Sequence, residues 1–327
     1  MLKDTFGREI NYLRLSVTDR CDFRCVYCMA EDMTFLPRAQ VLSLEESEQI
    51  CRAFVELGIK KIRITGGEPL IRNNITHLFN QVGQLQGLEE LTLTTNGSKL
   101  TELATSLKLA GVKRLNISLD TLDSEQFTEL TRFGKLEKVL DGIQAAKRAG
   151  FERIKLNAVI LKNRNLDQVP ALVNFVLSEG LDISFIEEMP LGAVVEHGRE
   201  EEFCSSAEIR AVINREHPLQ ESAVKTGGPS RYWQVPGYQS RIGFISPHSE
   251  NFCASCNRVR VTAEGRLLLC LGNENSVDLK DIIRRNPGDI EILKQAIVNA
   301  MANKPEKHHF YEDDAEQIVR FMNTTGG

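Results

Sequence analysis

"NYLRLSVTDRC", residues 11–21, is an extended segment that runs directly into a cysteine. Leu13 and Leu15 alternate with Arg14 and Ser16, the period of a strand with one apolar and one polar face. "KKIRIT" (60–65) repeats the pattern, with Ile62 and Ile64 set between Lys61, Arg63 and Thr65. Further strand-like runs are "EELTLTT" (89–95), "KRLNISL" (113–119), "RIKLNAVI" (153–160) and "DISFIEE" (182–188). Helical patterns separate them. In "SLEESEQICRAFVELG" (43–58), Ser43 and Glu46 read as a capping box and Gly58 as the stop.

Strand and helix alternating at this spacing imply parallel strands joined by right-handed crossovers. The six runs fall short of the eight strands of a closed barrel. The apolar face of each run should meet the helices. The other face collects Arg14, Arg63, Thr92, Thr94, Asn116, Ser118, Lys155 and Asn157 from five strands. A closed barrel fills its interior with bulky branched side chains, which this face cannot supply. The expected fold is therefore α/β, an incomplete (β/α)6 TIM-type barrel whose inner wall is polar and partly cationic. An open sheet with these residues at solvated strand ends is the competing arrangement.

After residue 190 the rhythm changes. A stretch containing Gly192, Gly198, Gly227, Gly228 and Pro229 leads to short extended runs at 241–246, 257–262 and 266–271, then to the helical "DIEILKQAIVNAMAN". Residues 1–190 are expected to form the partial barrel and residues 191–327 a smaller C-terminal region.

The 327 residues, 42% hydrophobic and 26% charged, suffice for a substantial core. A net charge of -5 argues against bulk nucleic-acid binding, which leaves a basic footprint. A bound polyanion must instead meet a local cluster of cations. The sequence has no signal-like start and no apolar run long enough to span a bilayer, so a cytoplasmic protein without membrane insertion is expected. In that reducing compartment, clustered cysteines are more often metal ligands or catalytic groups than disulfides.

The cysteines come in threes. "DRCDFRCVYCMAE" (19–31) holds Cys21, Cys25 and Cys28, and "CASC" places Cys253 and Cys256 before Cys270. Thiolates at such spacings bind zinc or iron–sulfur clusters. Zinc wants a fourth Cys or His, and the first triplet has no histidine nearby. His248 could complete a structural zinc site with the second. Cys51 and Cys204 lie apart from both groups and read as buried or incidental thiols. No role follows from the spacing of His77, His197, His217, His308 or His309.

The C-x3-C-x2-C pattern, with Tyr27 before its last cysteine, resembles the signature of radical S-adenosylmethionine enzymes. The resemblance implies that Cys21, Cys25 and Cys28 hold a 4Fe-4S cluster whose open iron takes the amino and carboxylate groups of S-adenosylmethionine. "TGGEP" (65–69) is similar to the family's glycine-rich segment, implying that Gly66, Gly67 and Glu68 cradle the methionine moiety, mainly through backbone. Together with the second triplet, "IRITGGEPL", "TTNG", "EEMP", "CNRVRVTAEG" and the terminal glycines extend the resemblance over essentially the whole chain. It is then with the GTP 3',8-cyclases of molybdenum cofactor biosynthesis.

That resemblance implies a second 4Fe-4S cluster on Cys253, Cys256 and Cys270, which holds the purine of GTP. It further implies GTP contacts at Arg14, Arg63, Thr94, Lys155, Arg258, Val259 and Arg260, and S-adenosylmethionine contacts at Tyr27, Ser118 and Met189. Arg258, Arg260, Gly326 and Gly327 are the implied catalytic set, the two glycines entering the cavity as a tail. The implied reaction has a 5'-deoxyadenosyl radical take hydrogen from ribose C3' of GTP, after which the ribose radical attacks guanine C8. Implied partners are an electron donor of flavodoxin or ferredoxin type and the cyclic pyranopterin monophosphate synthase downstream; a homodimer is compatible with the family. Two other classes compete with this reading. One is a different radical enzyme with auxiliary clusters, and the other a zinc-stabilised binding protein.

Overall fold

A computed structural model describes residues 1–192, 198–250, 252–273, 275–308 and 320–326. The six expected strands form as β1 (Tyr12–Ser16), β2 (Lys61–Thr65), β3 (Glu90–Thr95), β4 (Val112–Ser118), β5 (Arg153–Val159) and β6 (Asp182–Ile186). They lie parallel and in chain order. The strand period shows in their burial, since β5 alternates half-buried with buried residues along its length. Leu13, Leu15, Ile62, Ile64, Leu93, Leu115, Ile117 and Leu156 are almost completely buried beneath the helices. Phe54 and Phe79, fully buried on that side, are each worth about 1.5 to 3 kcal/mol of transfer free energy.

The helix Leu44–Glu56 starts as its sequence demands. Ser43 Oγ accepts from the Glu46 N–H at 3.0 Å, and Glu46 accepts from the Ser43 N–H at 2.7 Å. Gly58 follows its end with φ +100°, a conformation that costs a side-chain-bearing residue more than glycine.

The C-terminal segment does not form a separate layer. Its strands are β7 (Gln220–Ser222), β8 (Arg231–Gln234), β9 (Arg241–Ile245), β10 (Arg258–Val261), β11 (Arg266–Leu268) and β12 (Ser276–Asp278). They join the same sheet, whose order is β12-β11-β10-β1-β2-β3-β4-β5-β6-β9-β8-β7. Because β9 pairs parallel with β6 and β10 parallel with β1, the parallel core has eight strands rather than six. The sheet is nevertheless not closed by hydrogen bonds, as an incomplete barrel requires. No helix among the described residues is long and apolar enough to cross a membrane.

Candidate functional site

The pairing of β10 with β1 brings two cationic rows into register. Arg260 lies opposite Arg14, and Arg14 opposite Arg63; two residues earlier, Arg258 lies opposite Tyr12 and Tyr12 opposite Lys61. Arg14, Arg63, Lys155, Arg258, Val259 and Arg260 all line one cavity, together with Cys253, Cys256 and Cys270. Like charges this close are held at a cost. Burial pushes the Arg14 guanidinium down to about 10, and its neighbours Arg63 and Arg258 push the same way. Arg260 falls well below its ordinary value through burial and the nearby Arg14 and Arg258. Burial also lowers Lys155. A polyanion in this cavity would relieve all of these groups together.

Tyr12 sits among the cations. Its hydroxyl accepts from Arg63 Nε at 2.6 Å, and Lys61 Nζ lies 4.9 Å from its ring centroid. Burial alone would raise this phenol, but Arg63, Arg14 and Lys61 outweigh it and lower the pKa to about 7. No sequence motif singled out Tyr12. Its position two residues before Arg14 already placed it on the polar face. Arg114 likewise precedes Asn116 by two residues and lines this cavity, as does His308, to which the sequence gave no role.

A second cavity adjoins the first through the shared walls Asn157, Ile186, Met189 and Met322. Cys21, Cys25, Cys28, Tyr27, Gly66, Gly67, Ser118 and Met189 line it. Thr94 lies here too, away from most of the other residues assigned to GTP, with its hydroxyl accepting from Arg63 Nη1 at 3.1 Å. Tyr27 donates to Asp120 Oδ2 at 2.7 Å, and Asp120 Oδ1 accepts from the Val159 N–H. Burial raises Asp120 to about 6. Burial also raises Cys25 well above its ordinary range and Cys28 to about 12, so a metal must displace protons to bind these thiols. In the other triplet, burial alone would raise Cys256, yet Lys304 and Arg258 hold it below the usual thiol value.

Glu68 lines neither cavity, and its fully buried carboxylate accepts from the Leu70 N–H, Thr95 Oγ1 and the Asn96 N–H at 2.9, 2.8 and 2.6 Å. It holds the loop after β3 in place, and that loop in turn holds the cysteine loop, with Asn96 Nδ2 donating to Asp22 at 2.7 Å. Thr92 also faces neither cavity, because its hydroxyl donates to the Ile62 carbonyl within the sheet.

The glycines of "TGGEP" are required by protein packing. A Cβ at Gly66 would lie 2.7 Å from the Thr18 carbonyl oxygen, and one at Gly67 would lie 2.3 Å from that of Arg20. The Gly67 and Glu68 N–H groups donate to those same carbonyls at 2.7 and 2.8 Å. The loop after β2 is thereby stitched to the cysteine loop.

The chain's end reaches the site. Arg260 Nη1 donates to the Gly326 carbonyl at 2.6 Å, and Asn323 Nδ2 donates to the Asp19 carbonyl at 2.8 Å. Gly327 lies outside the described residues, as do His197 and His309. Neither Asn323 nor Asp120 carried any sequence signal.

The donor sets suit iron–sulfur clusters. Each triplet presents three soft thiols to one cavity wall. Among the described residues, no three Cys, His, Asp or Glu groups gather around a single ion. His248 does not line the second triplet's cavity; its Nε2 lies against the Glu188 carbonyl at 2.5 Å and its ring 4.8 Å from that of Phe203. The second cavity also holds a buried acceptor, Asn323 Oδ1, that has no hydrogen-bond partner among the described residues. It is suited to a ligand that donates, as the ammonium group of S-adenosylmethionine does.

Comparison with known proteins settles the family. A GTP 3',8-cyclase of Ectopseudomonas mendocina is 60% identical over 326 residues, covering 100% of this chain and 98% of the relative. The chain belongs to the GTP 3',8-cyclase family. A relative of the same name from Saccharophagus degradans matches at the same identity and coverage. Consistent with membership of this family, the radical SAM superfamily model matches residues 15–176, and the model described as molybdenum cofactor synthesis C matches residues 181–310. The fold is also that of Streptococcus suis SuiB bound to S-adenosylmethionine, with TM-score 0.60 and 18% identity over 94% of this chain and 77% of that one.

Proposed function

We propose that the protein converts GTP to 3',8-cyclo-7,8-dihydro-GTP, the first step of molybdenum cofactor biosynthesis. The observation that carries this reading is the pair of three-cysteine cavities with common walls, one of them lined by two in-register cationic rows. Cys21, Cys25 and Cys28 would hold one 4Fe-4S cluster, and Cys253, Cys256 and Cys270 the other. When bound, the first cluster and S-adenosylmethionine supply a carbon radical able to take hydrogen from the ribose.

The chain's own residues bind, orient and enclose. Gly66, Gly67, Tyr27, Ser118, Met189 and Asn323 form the S-adenosylmethionine wall. Arg14, Arg63, Lys155, Arg258 and Arg260 neutralise the triphosphate, with Tyr12 ordering Arg63 through its hydroxyl. Thr94, bonded to Arg63 where the cavities meet, suits the ribose. The enclosure matters because a primary carbon radical attacks nearby C–H bonds, and the packed tail around Asn323 and Gly326 excludes water there. Residues 1–190 would then carry the radical-generating cluster and residues 191–327 the second cluster, with both parts contributing to each cavity. A one-electron donor of flavodoxin or ferredoxin type, a downstream synthase and a homodimer complete the proposed setting, which is cytoplasmic.

Replacing Arg260 with Ala is expected to weaken GTP binding by about 1 to 3 kcal/mol, the worth of a charge-assisted hydrogen bond. Unchanged affinity by calorimetry would place this arginine outside the substrate site.

Anaerobic reconstitution tests the whole reading. About eight irons per chain are expected, with S-adenosylmethionine consumed and cyclised nucleotide formed from GTP. Zinc without iron, or two clusters with no turnover of GTP, would overturn it.

A further inference from the structure

Lys304 is only 3% exposed, although lysine is rarely buried without an anionic partner. It follows the helix Ile290–Met301, and no ion pair among the described residues gives it a carboxylate. Its Nζ donates instead to the Leu269 carbonyl at 2.5 Å and the Arg258 carbonyl at 3.1 Å, and lies 3.7 Å from Cys256 Sγ. Leu269 immediately precedes Cys270, and Arg258 is two residues beyond Cys256. One buried ammonium therefore spans the backbone beside two of the three second-triplet cysteines and touches the sulfur of one.

The N-terminal segment clamps this arrangement from the other side. Arg8 Nη1 donates to the carbonyls of Cys253 and Glu306 at 2.9 and 2.7 Å, and Nη2 donates to that of Pro305 at 2.6 Å. Asp4 fixes the same guanidinium through Nε at 2.6 Å. Pro305 and Glu306, next to Lys304 in the chain, are thereby tied to the backbone of the remaining cysteine. A buried ammonium is costly unless an anion faces it, and the anion available here is thiolate sulfur.

We propose that Lys304 is the charge-compensating residue of the second cysteine site. Its fixed positive charge stabilises the more negative, reduced state of the bound cluster and so raises its reduction potential. The inference rests on the iron–sulfur reading of Cys253, Cys256 and Cys270.

The test is a redox titration followed by electron paramagnetic resonance on the reconstituted full chain, run in a Cys25→Ser background that isolates the second cluster and repeated without that change. Lys304→Gln keeps a donor but loses the charge; Lys304→Arg keeps the charge. The Gln variant is expected to lower the reduced-to-oxidised ratio at fixed potential at least tenfold, about 59 mV for one electron. The Arg variant should stay near the parent. Loss of second-cluster iron from the Gln variant alone would support the same role for the charge. An unchanged midpoint in the Gln variant, or equal iron loss in both variants, would overturn it. A parent chain that binds only the first cluster would instead overturn the reading of the second triplet, and the inference with it.

Discussion

Replacing Cys25 with Ser is expected to abolish S-adenosylmethionine cleavage, whereas replacing Cys256 with Ser should block cyclisation and leave some uncoupled cleavage. The geometry divides the labour. Cys25 lines the cavity that holds Tyr27, Gly66 and Gly67, and Cys256 lines the one that holds Arg14, Arg63 and Lys155. Serine occupies nearly the same space as cysteine, but its hydroxyl is a poor ligand for iron that prefers soft thiolate. The turn at Cys25 is held by backbone, because the N–H groups of Cys28 and Met29 converge on its carbonyl at 2.9 and 3.3 Å. The loop should therefore persist when the sulfur is changed. A loss of about a thousandfold or more, roughly 4 kcal/mol in barrier terms, is expected for cleavage in the Cys25 variant. Equal loss of cleavage in both variants, with folding confirmed by circular dichroism, would show that the triplets do not have separate roles.

Gly326→Ala should lower cyclised product sharply while leaving the iron content of both sites intact. Gly326 has φ +77°, where a side chain is strained, and an added Cβ would lie 2.1 Å from Thr65 Cγ2. Thr65 ends β2, just before the glycine-rich loop, so the tail cannot shift away without disturbing that loop or losing its own contacts. The contact most exposed to loss is the Arg260 hydrogen bond to the Gly326 carbonyl. Without it, a buried arginine in the cationic row would lose a fixed acceptor and be free to reorient. Deleting both terminal glycines should have the same effect, because it removes the acceptor altogether. Product formation is the readout and iron analysis the control. Normal turnover by Gly326→Ala would reduce the tail to a packed end without a part in the reaction.

The two variants also separate different kinds of information. The cysteine prediction follows from ligand chemistry written in the sequence. The glycine prediction takes its physical reason from a contact between residues 65 and 326, which no local pattern encodes.

The sequence by itself determined the strands and the ligand types. A period of two is local, so Arg14, Arg63, Asn116, Lys155 and Asn157 could be placed on a common face before any neighbour was known, and all of them line the substrate-side cavity. The six clustered cysteines were equally legible, because three soft ligands within a few residues have few other uses in a reducing compartment. What only the tertiary structure decided was who meets whom across the chain. Strand pairing is set by packing and backbone hydrogen bonding between distant segments, so β10 could dock beside β1 and put Arg258 and Arg260 in register with Tyr12 and Arg14 without any trace in the intervening sequence. The inward turn of Glu68, the ammonium of Lys304 at Cys256 and the hold of Asn323 on Asp19 are decided in the same way. Each satisfies a buried polar group with a partner brought close by the folded chain, and burial exists only once the tertiary structure has formed.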